Sequence, residues 1–246
     1  MPKVSINILT RNRASLLKKA LLSIYAQSFT DFELIVVNDG STDETSQVLQ
    51  GYKDIRIQVI NHQESIGITK SRQEALEKST GEYIAILDDD DEWIDIDKLA
   101  KQVKYLDENK EVVLVGAAVN LKIDGLKDLK IAKRAQTDAK IRKTMLLRNN
   151  FFTSTVMFRR EVAIKAGGFL SDTDDFAEDY DLWLRMGKLG KMYNFPQAFT
   201  AYRVPNYNKA RFKAFLRKQV RLVNQHQNTY PFVWLATAFL RLRLFL

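Results

Sequence analysis

The chain has 246 residues, 46% hydrophobic and 28% charged, enough for one large α/β domain or a domain with an appendage. Cysteine is absent, which excludes disulfides, a thiolate nucleophile and cysteine-ligated metals. The net charge of +8 does not signal nucleic acid: residues 203–246 hold nine Lys or Arg and no acid, leaving residues 1–202 with 29 basic and 30 acidic side chains.

The opening stretch, MPKVSINIL, enters a strand-like alternation at once, so a cleaved secretory signal is not expected and a cytoplasmic location is. Residues 4–9 read as a strand, and residues 15–27 as a helix with Leu17, Ala20, Leu21 and Ile24 at helical spacing. Further strands are expected over 32–37, 55–60 and 83–87, each followed by a helix: one ending near Gly51, one over 71–78 and one over 97–108. Strands alternating with helices of this length predict an α/β fold with a mostly parallel central sheet and flanking helices.

Ligands bind outside the carboxyl ends of the strands in such sheets. That rule selects Thr10, Arg11 and Arg13 after the first strand, Asn38 and Asp39 after the second, and Asp88 to Asp91 after the fourth. The run Asp39-Gly40-Ser41-Thr42-Asp43 reads equally well as a turn with a helix cap. LDDDDEW, residues 87–93, is different. Four like charges behind the apolar run YIAIL raise one another's cost of ionisation, and they call for a cation.

Four stretches carry a family resemblance in order: VSINILTRNRASLLKKALLSIYAQSFTDFELIVVNDGSTDET, ESIGITKSRQEAL, GEYIAILDDDDEW and AEDYDLWLRM. Over residues 3–203 the chain resembles the family 2 glycosyltransferases, which have the GT-A fold. The resemblance implies a Rossmann-like donor half over 1–110, an acceptor half over 111–203, and inverting transfer of a sugar from a nucleotide diphosphate. It maps Asp88-Asp89-Asp90 onto the family's DxD motif, with Asp90 and Asp88 as ligands of Mg²⁺ or Mn²⁺. Alternation in extended backbone would then send Asp89 to the opposite face, and Asp91 would cap or support the next segment. Asp39 resembles the aspartate that accepts from a base imide, favouring UDP or dTDP. Thr10, Arg11, Arg13, Arg72 and Asp88 fall in the nucleotide-binding positions. The usual PTYNR is replaced here by Leu9-Thr10-Arg11-Asn12-Arg13, so an Arg11 guanidinium takes the place of an aromatic ring against the base.

In AEDYDLWLRM, Leu182, Trp183 and Met186 recur at helical spacing, and Asp179 stands four before Trp183 on the buried side. The resemblance makes Asp179 the catalytic base with Glu178 as its acidic neighbour. Asp181 and Arg185 are spaced for a surface pair, and His62 and His226 are expected at the surface. Gly167 and Gly168 read as a turn before an acidic loop over 171–175.

Residues 204–246 lie past the resemblance. Phe212, Phe215, Leu216, Val220 and Val223 form a helical stripe among Arg211, Lys213, Arg217, Lys218 and Arg221, the pattern of an interfacial helix. FVWLATAFLRLRLFL is apolar but shorter than the roughly 20 residues that span a bilayer. A peripheral position on the anionic inner face of a membrane is expected, against the alternative of a helix packed on the body or on a second subunit. The partners expected are a nucleotide-sugar, a glycan or lipid-linked acceptor and this membrane surface, without nucleic acid. A nucleotidyltransferase, or a noncatalytic nucleotide-sugar-binding module, is the other functional class compatible with the sheet.

Overall fold

In the computed structural model, which describes residues 1–122, 130–169, 177–204 and 209–245, the early apolar runs become strands β1 (Val4–Thr10), β2 (Phe32–Asn38), β3 (Ile57–Asn61) and β4 (Tyr83–Ile86). They pair in parallel in the order β3-β2-β1-β4, with Val4 opposite Phe32 on one side and Tyr83 on the other. Helices α1 (Ala14–Tyr25), α2 (Thr45–Gln50) and α3 (Ile68–Lys78) connect them. Both sheet faces are covered, which explains why β2 reads as a continuous apolar run. Leu34 and Val36 pack with Leu17, Leu21 and Ile24 of α1 on one face, and Ile35 and Val37 meet Ala75 of α3 on the other.

Beyond β4 come β5 (Glu92–Trp93), α4 (Lys98–Glu108), β6 (Val112–Lys122), β7 (Lys130–Ala132), α5 (Asp138–Thr144), a 3-10 turn over Thr153–Thr155, β8 (Met157–Arg159), α6 (Arg160–Lys165), α7 (Glu178–Met186) and β9 (Lys191–Arg203). β8 runs antiparallel between β4 and β6, β9 runs parallel to β6, and β5 and β7 are short antiparallel partners. The long registers are the parallel ones, so the sheet is mostly parallel, as expected. β4 carries the aspartates, and β8 beside it brings the 3-10 turn to the same rim.

The C-terminal helices α8 (Lys209–Gln225) and α9 (Val233–Phe245) correct the reading of their stretch. Leu216 and Val223 of the supposed membrane stripe are fully buried, in one core with Tyr180, Trp183 and Met186 of α7, and Phe212, Phe215 and Val220 pack against it. The stripe faces protein because α7 presents Tyr180, Trp183 and Met186 to the same core, which a reading of α8 alone could not reveal. In α9, Ala236 and Leu240 join the same core, whereas Trp234, Leu235, Phe239 and Leu242 are exposed. Among the described residues no helix is long and apolar enough to cross a membrane.

Leu216→Ala should therefore cost about 2–5 kcal/mol of stability in a urea titration. Trp234→Ala, at a position 73% exposed, should stay within about 0.5 kcal/mol of the wild type. Equal effects would place α8 away from the body.

Candidate active site

The four aspartates begin where β4 ends, and they do not continue as a strand. The N–H of Asp91 donates to the carbonyl of Asp88 at 3.1 Å, closing a turn in place of the extended backbone whose alternation would set Asp89 on the opposite face. Asp88 accepts from Arg72 Nη2 at 2.9 Å. Asp89 and Asp90 accept from the same Arg13 nitrogen, at 2.8 and 3.0 Å. Asp91 is buried and accepts from the Ser154 hydroxyl and the backbone N–H of Arg203, tying the turn to β9. Burial pushes the pKa of Asp89 up to about 6 and, together with the charge of Asp88, that of Asp91 up to about 8.

Arg72 joins this rim to α7. Its Nε donates to Glu178 at 2.9 Å while Nη2 holds Asp88, and the whole side chain is buried. Burial alone would lower the pKa of Arg72; Asp88, Glu178 and Asp179 hold it above its ordinary value, so it stays a cation. α7 starts after Ala177, whose φ of 65° is left-handed, a strained state for a residue with a Cβ, and Glu178, Asp179 and Asp181 fill its first turn where the helix dipole favours acids. Asp179 accepts from the Thr153 hydroxyl at 2.5 Å, the Asn149 amide at 3.3 Å and the N–H of Tyr180. An ionised carboxylate has about four acceptor positions. One is left open among the described residues. Burial outweighs those hydrogen bonds and raises the Asp179 pKa above the usual carboxylate range.

The other side of the rim is built from the first two strand ends. The N–H of Asp39 donates to the Thr10 carbonyl at 2.9 Å, and Asn12, at a left-handed φ of 54°, accepts from the N–H groups of Thr42 and Asp43. Arg11 is exposed on this loop. Asp39 accepts from four groups: His62 Nδ1 at 2.9 Å, the Ser65 hydroxyl at 2.6 Å, and the N–H groups of Ile66 and Gly67. These hydrogen bonds overcome burial and hold its pKa below the usual carboxylate range. Gly40 allows the close approach: its φ is 69°, and a Cβ there would meet Ser65 N at 2.6 Å.

Three expectations need correction. His62 is not a free surface side chain but lies between Asp39 and Glu74, whose Oε2 is 2.7 Å from its Nε2. His226 is buried, 3.5 Å from Asp181, because α8 packs on α7. Asp181 and Arg185 form a buried pair for the same reason, with Arg185 also donating to the carbonyls of Ala166 and Gly168. Gly167 and Gly168 have left-handed φ of 93° and 64° in a turn closing α6; the acidic loop 171–175 lies outside the described residues. Ser65, Glu74, Asn149 and Thr153 were not singled out from sequence. His62 and Ser65 follow the carboxyl end of β3, so the rule that selected Asp39 contained a signal for them, while Asn149 and Thr153 carry none.

A divalent cation fits this donor set. Four aspartates, Glu178 and Asp179 face Arg13, Arg72 and Arg203, an excess of negative charge, and Asp88 and Asp90 each keep an oxygen outside the ion pairs. Among the described residues no group of three or more His, Cys, Asp or Glu side chains is arranged as a complete metal site. Hard cations bound by one or two carboxylates and completed by substrate phosphates need no such group.

The mostly parallel sheet, with its acidic rim and the acidic helix facing it, makes this an α/β protein with a carboxylate-rich cleft. The family described as Glycosyl transferase family 2 matches residues 5–167, and the chain belongs to it. It is 26% identical to the amylovoran biosynthesis glycosyltransferase AmsE of Erwinia amylovora over 90% of this chain and 84% of AmsE. Its fold matches S. aureus TarS 1-349 in complex with UDP-GlcNAc, with TM-score 0.73 and 18% identity over 94% of this chain and 68% of that one. It also matches the mannosyltransferase PcManGT from Pyrobaculum calidifontis in complex with GDP-Man and Mn2+, with TM-score 0.72 and 21% identity over 99% of this chain and 69% of that one. The chain spans 66% of the length of one other curated relative and 42% of another.

His62 gives a pH signature. Burial would lower its pKa, but Asp39 and Glu74 raise it above its ordinary 6.5. A raised histidine stabilises the fold fully below pH 6.5, and the contribution is lost as pH rises through the folded value. The stability margin of wild type over His62→Gln should thus shrink on going from pH 6 to pH 9, roughly spanning the histidine range. A constant margin in denaturant titrations at both ends would mean that folding leaves the imidazole pKa unshifted, and a margin that grows with pH would mean a folded imidazole held neutral.

Proposed function

We propose that this chain is an inverting glycosyltransferase that moves a sugar from a nucleotide diphosphate to a hydroxyl of a glycan or lipid-linked acceptor, with residues 1–110 holding the donor and 111–203 the acceptor. The observation that carries the reading is the Asp88–Arg72–Glu178 bridge, which unites the strand rim with the acidic pair of α7. The family membership and the polysaccharide role in the name of AmsE support it.

Asp179 accepts the proton of the acceptor hydroxyl as its oxygen attacks the anomeric carbon from the face opposite the diphosphate. Its raised pKa makes it a stronger base than an ordinary aspartate. One displacement inverts the centre, so no protein nucleophile is required. Glu178 fixes Arg72, and Arg72 with Arg13 supplies positive charge on the donor side. A Mg²⁺ or Mn²⁺ held by Asp90 and Asp88 would offset the charge that develops on the departing diphosphate. Thr10, Arg11 and Asp39 meet the nucleoside. Asp39 takes a base imide by losing one internal donor, and the rotatable Ser65 hydroxyl is the one that can leave. A uracil or thymine base matches an acceptor carboxylate, and UDP or dTDP is the favoured carrier. On this reading α9, with Trp234, Leu235, Phe239 and Leu242 exposed beside Arg241, rests on the inner face of a membrane that carries the acceptor.

Asp179→Asn should keep donor affinity while transfer falls about 10²- to 10⁴-fold; an unchanged rate would move the base elsewhere. Asp90→Asn should weaken metal-dependent UDP binding, and full activity of that variant in excess chelator would remove the metal from the mechanism. In flotation with anionic vesicles, replacing both Trp234 and Phe239 with serine should abolish the salt-resistant share of binding. Equal flotation of the two proteins would take α9 off the membrane.

A further inference from the structure

Arg134, between β7 and α5, has no acidic partner among the described residues. It is half-buried, its guanidinium lies 4.4 Å above the Phe152 ring, and its Nε is sealed from solvent with no hydrogen-bond partner. Among the described residues it forms no ion pair, and neither does the exposed Arg148. Burial first, and the charge of Arg148 second, lower the Arg134 pKa from its ordinary value. The two arginines lie on neighbouring segments, since Asn194 Nδ2 donates to the carbonyls of both Ala135 and Asn150, at 2.8 and 3.0 Å, and a bound anion would offset the charge that the half-buried Arg134 carries without a carboxylate among the described residues.

Their position gives that anion a role. Arg148 precedes Asn149 and Phe152 precedes Thr153, the two residues whose side chains hold the Asp179 carboxylate. The Phe152 ring also meets Tyr202 of β9, with centroids 5.4 Å apart, and the next residue, Arg203, bonds Asp91 through its N–H. The aromatic shelf under Arg134 is thus one residue in sequence from Thr153, which holds the base, and one from Arg203, which holds Asp91. Arg13 and Arg72, by contrast, are already engaged by carboxylates. A planar guanidinium on an aromatic face presents its edge as a fork, the geometry that takes two oxygens of a phosphate or carboxylate.

We propose that Arg134, above the Phe152–Tyr202 shelf, and the neighbouring Arg148 form a subsite for an anionic group, a phosphate or a carboxylate, carried by the acceptor whose hydroxyl meets Asp179. The identity of the ligand as acceptor rests on the glycosyl-transfer reading; the existence of the anion site does not.

Calorimetric titration of the full chain with glycerol 3-phosphate, glycerate and neutral glycerol tests this, in the wild type, Arg134→Gln and Arg148→Gln. Saturable binding of at least one anion is expected, weakened about tenfold or more by either substitution, and glycerol should not bind. The stronger anion identifies the acceptor's group as phosphate or carboxylate. UDP, titrated into the same proteins, should bind all three equally. Because Arg148 is exposed, its substitution leaves the fold intact and keeps the test valid even if Arg134→Gln unfolds. Equal anion affinity in wild type and Arg148→Gln, no anion binding in the wild type, or glycerol binding as tightly as the anions overturns the proposal. Loss of UDP binding from the wild type alone would instead count against the donor reading and leave the anion comparison standing.

Discussion

A buried guanidinium shared by two carboxylates is the interaction on which this site depends. Arg72 lies on α3, Asp88 at the end of β4 and Glu178 at the start of α7, so one side chain ties three elements that otherwise meet through apolar packing. Taking such charges out of water costs several kcal/mol per ion. The arrangement persists because all three are paired and because the rigid, planar fork of arginine fixes the directions of its two partners, which come from different elements. Asp179, the neighbour of Glu178, inherits its position from this bridge, while Thr153 and Asn149 set its direction.

Around that bridge the structure concentrates what a stable fold avoids. Two of the four adjacent aspartates are almost wholly buried, Ala177 has a left-handed backbone at the mouth of α7, and Arg134 has no acid beside it among the described residues. Each is destabilising alone, and such features gather where binding and chemistry occur. The stabilising counterweight lies elsewhere, in the sheet packed on both faces and in the core shared by α7, α8 and α9. The C-terminal helices therefore serve the site at a distance: Leu216, Val223 and Tyr230 back α7, and the Tyr230 hydroxyl donates to the Leu184 carbonyl at 2.9 Å.

Much of this was legible in the chain. The doubly buried parallel strands appear as unbroken apolar runs, and the helices between them keep a clear helical period, so their bounds were read within a few residues. Asp88 to Asp91, Asp39, Arg72 and Asp179 emerged from the rim rule and the family resemblance. What escaped depends on long-range partners. The buried state of Asp181, Arg185 and His226 follows from the docking of α8, which leaves no local mark because an apolar stripe looks the same whether it meets lipid or protein. The turn at Asp88–Asp91 and the saturation of Asp39 likewise arise from residues distant in sequence, Arg13 and Arg203 in one case and His62 and Ser65 in the other.

The most direct measurement is a double-mutant cycle on Arg72 and Glu178, read as unfolding free energy at neutral pH. Arg72→Met strands two carboxylates and should cost about 3–5 kcal/mol, as breakage of a buried pair does. Adding Glu178→Gln should recover a large part of that loss, since Asp88 retains access to solvent. If Arg72→Met is as stable as the wild type, or if the two effects simply add, the bridge does not organise the site.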